Sequence, residues 1–219
     1  LTLRAAGNLK LDSSLSDGFD TTLATGAAQG LNAWSYRLVA GAELGANPLT
    51  VKKGVGNITL ANSKLIRTGR GDIDIAAGGN LTLGNDASVI YTAGSQAAPI
   101  AGFTLPASGK LGKAPYVDGG GHVYIRVGGD LIGKVATKGS QQLVNNWLFR
   151  QGELNADGSY KLQTSWWLRP DEFKAGVATF GGGDIVLEAD GKIENLSAAA
   201  PTSGRVAVDP ITGAKLDAV

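Results

Sequence analysis

The chain has 219 residues, with 20 Lys and Arg against 19 Asp and Glu, a net charge of +1. So even a balance builds no field to hold a nucleic-acid backbone or an anionic membrane surface, and nucleic acid is not an expected partner. Cysteine and methionine are both absent, which excludes a disulfide scaffold, a thiolate metal site and a cysteine nucleophile.

Glycine contributes 33 residues, roughly twice ordinary usage. It follows no G-X-Y period, so collagen is excluded. With 43% hydrophobic residues the chain can build a core and is not expected to be disordered. It opens without Met, inside a strand pattern, and is read as a piece, 1–219, of something longer.

In chain order, Leu1-Thr2-Leu3 and Gly7-Asn8-Leu9-Lys10-Leu11 introduce the unit that organises the sequence: glycine, then Asn or Asp, then an apolar/any/apolar triplet. It returns as Gly56-Asn57-Ile58-Thr59-Leu60, Gly71-Asp72-Ile73-Asp74-Ile75 and Gly79-Asn80-Leu81-Thr82-Leu83. It appears again at Gly121-His122-Val123-Tyr124-Ile125, Gly129-Asp130-Leu131, Gly183-Asp184-Ile185-Val186-Leu187 and Gly191-Lys192-Ile193. The alternation has period two, so Ile73 and Ile75 share one face of a short strand and Asp72 and Asp74 the other.

Glycines 71 and 79, 121 and 129, and 183 and 191 are each eight residues apart, too close for a helical crossover. The stretch 56–94 shows what lies between. Gly56–Leu60 is followed by Lys64-Leu65-Ile66-Arg67-Thr68-Gly69, and Gly79–Leu83 by Val89-Ile90-Tyr91-Thr92-Ala93-Gly94. The Asp72–Ala76 strand stands between the two copies, so one cycle of 23 residues carries three short strands separated by polar corners.

One such rung cannot bury Leu60, Leu65, Ile73 and Ile75, whereas copies stacked about 4.8 Å apart can. An all-β, three-sided parallel β-solenoid is expected over an ordinary β-sandwich, because the copies share residues as well as spacing. The corner glycines are expected to supply positive φ. Longer stretches at 12–55, 84–120 and 134–182 interrupt the repeat; the last two are read as insertions or irregular rungs. Within the third, Asp157-Gly158 reads as a hairpin turn.

The Gly-Asn-Leu-Thr-Leu, Gly-Asn-Ile-Thr-Leu and Gly-Gly-Asp-Ile strands resemble the haemagglutinin repeats of large filamentous-haemagglutinin-like exoproteins, as do Trp166–Phe173 and Phe180–Asp184. The resemblance implies a right-handed parallel β-helix with protruding insertions, forming part of a secreted rod on the bacterial cell surface. It implies export through an outer-membrane two-partner transporter, and service in adhesion, aggregation or presentation of a distal toxin. The segment looks like shaft, without an activity of its own.

Several constellations have competing readings. Arg70-Gly71-Asp72 spells an integrin-type tripeptide, but Gly71-Asp72 is also a repeat corner. Gly128–Val135 nearly spells a phosphate loop, yet Val135 takes the hydroxyl's place and no helix pattern follows. His122, the lone histidine, leaves no two-histidine metal site and occupies a corner position. Asp72, Asp74, Asp130 and Asp184 can align across rungs as an enzyme's carboxylates, or serve as corner and outward polar residues.

The sequons at Asn57, Asn80 and Asn195 arise from the repeat itself. Trp147, Phe149, Arg150, Trp166, Trp167 and Arg169 fall in one insertion. They read either as a platform for a host or bacterial glycan or protein, or as rings packed within the insertion or against the solenoid wall. No cofactor, metal or catalytic residue is expected.

Overall fold

The computed structural model describes residues 1–17, 19, 33–96, 100–104, 111–114, 117–135, 147–151, 165–168, 170, 173–174 and 176–201. In chain order the strands are β1 (Thr2–Ala5), β2 (Leu9–Leu11), β3 (Leu15–Ser16), β4 (Tyr36–Ala40), β5 (Ile58–Leu60), β6 (Leu65–Thr68), β7 (Ile73–Ala77), β8 (Leu81–Leu83) and β9 (Val89–Thr92). Four short strands follow: β10 (Ser95–Gln96), β11 (Ile100–Thr104), β12 (Leu111–Ala114) and β13 (Val117–Asp118). The chain continues with β14 (Val123–Val127), β15 (Leu131–Ile132), β16 (Leu148–Gln151), β17 (Ser165–Leu168), β18 (Gly176–Thr179), β19 (Ile185–Ala189), β20 (Ile193–Glu194) and β21 (Ala198–Ala199).

Fifteen of these strands form three parallel five-stranded sheets: β1-β4-β7-β14-β19 (wall A), β2-β5-β8-β15-β20 (wall B) and β3-β6-β9-β18-β21 (wall C). Each rung contributes one strand to each wall, so the chain winds as a three-sided parallel β-solenoid of five rungs. The glycine pairs eight residues apart are successive sides of one rung, A then B.

Register turns this winding into columns of like residues. On wall A, Leu3, Leu38, Ile75, Ile125 and Leu187 are consecutive partners. On wall B the column is Leu9, Ile58, Leu81, Leu131 and Ile193; on wall C it is Leu15, Ile66, Ile90, Val177 and Ala198. The central members form one aliphatic interior, with Leu38, Ile58, Ile66, Ile73, Leu81 and Ile90 all 0% exposed. Each such side chain contributes about 1.5–3 kcal/mol on burial. Tyr36 is the polar exception: burial, and then the Asp17 carboxylate, push its phenol above the ordinary value, with Arg67 opposing. It therefore packs as a neutral ring.

The corners add a second repeating bond. Before wall B, each backbone N–H donates to the corner side chain one rung away: Asn57 N to Asn8 Oδ1 at 2.9 Å, and Asn80 N to Asn57 Oδ1 at 2.7 Å. The series continues with Asp130 N to Asn80 Oδ1 at 2.7 Å and Lys192 N to Asp130 Oδ1 at 2.9 Å, so the ladder spans all five rungs. Before wall A a parallel ladder runs through Asp72 N to Ser35 Oγ, His122 N to Asp72 Oδ1 and Asp184 N to His122 Nδ1. Buried Thr68, Thr92 and Thr179 close wall C by donating to the carbonyls of Gly71, Gly121 and Gly183.

The ladder corrects the expected role of the corner glycines. Gly56 and Gly183 do take positive φ, but Gly71, Gly79, Gly121, Gly129 and Gly191 do not. At Gly79, Gly129 and Gly191 a Cβ would fall on Asn57 Oδ1, Asn80 Oδ1 and Asp130 Oδ1 respectively. Glycine is favoured there because the neighbouring rung's side-chain oxygen, held by its ladder hydrogen bond, lies against the backbone. Gly-Asn is thus one device acting across two rungs.

Four connections between successive wall strands are longer than a corner. The segment after β4 lies over the outer face of wall A, where Val39, Ala42 and Ala76 pack with Val51 and Arg4 donates to Glu43 O at 2.7 Å. Residues 17–35 separate β3 from β4. Antiparallel pairs β10–β13 and β11–β12 stand between β9 and β14, and β16–β17 between β15 and β18. The 84–120 stretch therefore holds a wall strand, β9, followed by antiparallel pairs outside the three walls, and 134–182 holds such a pair followed by a wall strand, β18.

Leu81→Ala, in the middle of the wall B column, is expected to cost about 2–5 kcal/mol in urea unfolding. Gly129→Ala should destabilise by about 1–3 kcal/mol through overpacking against Asn80. In an Asn80→Ala background that penalty should shrink by at least about 1 kcal/mol, a coupling that a double-mutant cycle measures directly.

Candidate functional site

Wall C carries a second apolar cluster on its outer face, over β9 and β18. Every residue of β9 and β18 is buried, so the outward positions as well as the inward ones are covered. Outside the wall, Val89, Tyr91, Ala93, Ala178 and Phe180 meet Val117, Trp147, Leu168 and Phe173 in a second core, with Phe19 and Leu65 at its margin.

The rings meet edge to face. Phe173 and Phe180 lie 5.3 Å apart, Trp147 is 5.5 Å from each of them, and Tyr91 lies 5.7 Å from Phe180. Such pairs add about 0.5–1.5 kcal/mol each beyond area burial. Arg67 caps the cluster, its guanidinium 3.8 Å from the Phe19 ring centre and its Nη1 donating to Tyr91 Oη at 3.1 Å. This seal ties in two antiparallel pairs, through Val117 of β13 and through Trp147 and Leu168 beside and within the β16–β17 pair.

Trp147, which the sequence left open between a platform ring and a packed one, is 6% exposed and packs against Phe173 and Phe180. In the β16–β17 ladder Phe149 pairs with Trp167 and Arg150 with Trp166, so four of the expected residues share two adjacent cross-strand pairs. Arg169 and the expected Asp157-Gly158 turn lie outside the described residues.

Arg70, Gly71 and Asp72 sit at the wall A corner between β6 and β7. Arg70 Nε donates to Ser95 Oγ at 2.6 Å, and its guanidinium lies beneath Gly119. Gly71 has no room for a Cβ against Trp34 O. Asp72 Oδ1 accepts from His122 N at 2.8 Å. Both charged ends of the tripeptide are thus engaged by groups of the stack and its first protrusion.

His122 Nδ1 accepts from Asp184 N at 2.9 Å, which places the ring proton on Nε2. The 3.4 Å approach of Asp184 Oδ2 to the same Nδ1 becomes an ion pair only on protonation, and the acceptor geometry describes the neutral ring. The ring stacks on Tyr124 at 5.5 Å.

The four aspartates do not converge. Asp72, Asp130 and Asp184 are corner residues of two different ladders, and Asp74 faces outward on wall A, 3.5 Å from Arg37. Among the described residues no three His, Cys, Asp or Glu side chains gather as a metal site. Gly128-Gly129-Asp130 is the corner between β14 and β15.

Sequence reasoning missed a polar group on the outer face of wall A. Lys53 reaches Asp190 at 2.7 Å and Arg126 reaches Glu188 at 3.5 Å. Lys53, Arg126 and Asp190 lie far apart in the chain and meet because the rungs stack, so no local motif marks them. The aromatic seal did leave a signal: Val89-Ile90-Tyr91 is continuously apolar, as a strand covered on both faces is.

Phe180→Ala should cost about 3–5 kcal/mol and shift Trp147 fluorescence to the red as water reaches the indole. The hydrogen bond and charge of Lys53 hold the Asp190 carboxyl below its ordinary value. A lowered folded-state value means that this stabilisation is present at neutral pH and lost as pH falls through that value. In Lys53→Met, the Asp190 midpoint followed by carboxyl-carbon NMR should rise toward that of an ordinary aspartate.

Comparison of the chain with protein-family models, with curated proteins and with solved structures finds no match in any of the three.

Proposed function

We propose that this chain is a structural and adhesive segment of a secreted bacterial surface rod of the filamentous-haemagglutinin type, exported through an outer-membrane two-partner transporter. The observation that carries the reading is the aromatic seal on wall C. A three-walled coil with an aliphatic interior is a stiff support, and the seal joins antiparallel protrusions to it through packed rings rather than a flexible linker. Rigid mounting holds recognition residues at low entropic cost to a binding event.

In this reading the shaft supplies reach and the protrusions supply contact. The β16–β17 pair, with Phe149, Arg150, Trp166 and Trp167 in adjacent cross-strand positions, is the segment assigned to a host or bacterial surface glycan or protein. The absence of cysteine fits export as an unfolded chain, since a disulfide closes a loop that would have to thread.

A glycan array and a polysaccharide-depolymerisation assay on the 219-residue chain test the reading. Binding without product release is expected, weakened at least tenfold by Trp166→Ala with Trp167→Ala while the thermal transition is retained. Release of shortened saccharides would overturn it in favour of a carbohydrate-active enzyme. No binding to glycans or to intact cells would leave the shaft as a passive spacer for a distal domain.

A further inference from the structure

Wall A carries a cleft that the adhesive protrusions on wall C do not use. The segment between β4 and β5 crosses the outer face of wall A, held at one end by the Arg4 guanidinium on the carbonyls of Glu43 and Leu44. Farther along, Gly54 N donates to Gly78 O at 2.6 Å, and a Cβ on Gly78 would collide with Lys52 O. At the far end Lys53 bonds Asp190 of the last rung. Between this strap and the wall lies a cavity of about 480 Å3, within the range of small-ligand sites.

The floor is narrow, made by Ala76 and Gly128, while the side chains of Ala77 and Val127 turn into the solenoid interior. Small side chains there leave space above the sheet that larger ones would fill. Leu49 and Val51 of the strap form the apolar side. The rim is polar: Asn47, Thr50 and Lys53 from the strap face Arg126 and Asp190 from the wall.

The chemistry of this lining selects a ligand class. Both cations are matched by carboxylates, Lys53 by Asp190 and Arg126 by Glu188, so the cleft has no surplus charge to attract an anion. No aromatic side chain lines it, which disfavours a planar apolar ligand. The rim instead sets donors beside acceptors at short spacing over a C–H-lined floor. A pyranose ring has the complementary form, with an apolar face of ring C–H groups and an edge of vicinal hydroxyls that both donate and accept.

We propose that this cleft is a binding site for a neutral saccharide unit. Asp190 and Arg126 would take adjacent hydroxyls, and the ring's C–H face would lie on Ala76 and Gly128, beside Leu49. The exposed ion pairs that close the rim contribute little stability, so exchanging part of them for sugar hydroxyls has a small energetic cost. The site is independent of the β16–β17 protrusion and does not rest on the adhesive reading.

The test uses the 219-residue chain with maltose, cellobiose, lactose and N,N′-diacetylchitobiose as separate probes, followed by saturation-transfer NMR. Transfer to at least one disaccharide is expected, weakened at least tenfold in Asp190→Ala and in Arg126→Ala. Both residues are exposed, and an unchanged thermal transition verifies that these variants fold. Trp166→Ala with Trp167→Ala should leave this binding intact. Absence of transfer from all four probes overturns the proposal, as does binding that survives both cleft variants. Binding lost only in the tryptophan variant overturns the cleft while supporting the protrusion.

Discussion

The structure depends on one constraint: no rung can satisfy itself. A strand of two to five residues has neither enough apolar surface to bury nor any partner for its backbone within its own turn. Both needs are met only from the rungs above and below. The aliphatic columns and the corner ladders are two expressions of this constraint, one apolar and one polar. They also enforce the same register, because displacing a rung by one residue along its length would expose Leu81 and orphan the Asn80–Asp130 bond together.

The corner ladder is economical in what it asks of the sequence. Each Asn or Asp supplies an acceptor to the next rung, and Gly79, Gly129 and Gly191 make room for that oxygen before wall B. Sites where a different residue enters the ladder still keep the acceptor: Ser35 presents Oγ and His122 presents Nδ1. What is retained is the lone pair at a given height. A histidine in this place is therefore a structural acceptor, and its chemistry is spent on the backbone N–H of Asp184.

Insertions are tolerated because the walls pair between rungs, so the connecting path is free to lengthen. Connections as long as 17–35, 93–122 and 133–175 separate successive wall strands, and the strands that follow them keep the register of the stack. Their cost is met locally. The strap over wall A is held by Arg4 and Gly78, and the protrusions near wall C by the Tyr91–Phe173–Phe180–Trp147 rings. These attachments convert a uniform coil into one with two distinct outer faces, one aromatic and sealed, the other polar and cleft.

By itself the sequence determined the coil. Gly-Asn-apolar-any-apolar units, their spacing of eight residues and the 56–94 cycle are local patterns, and local patterns suffice for a fold that repeats. It did not reveal β4, because Ser35-Tyr36-Arg37-Leu38 lacks the glycine corner, nor β18, whose Gly176-Val177-Ala178-Thr179 run carries no alternation of polar and apolar residues. Only the tertiary structure decided which rung each excursion leaves, that Trp147 turns inward, and that Lys53, Arg126 and Asp190 share a cleft. Those outcomes follow from contacts between residues dozens of positions apart, and the chain lengths between such residues are set by the insertions, which follow no period.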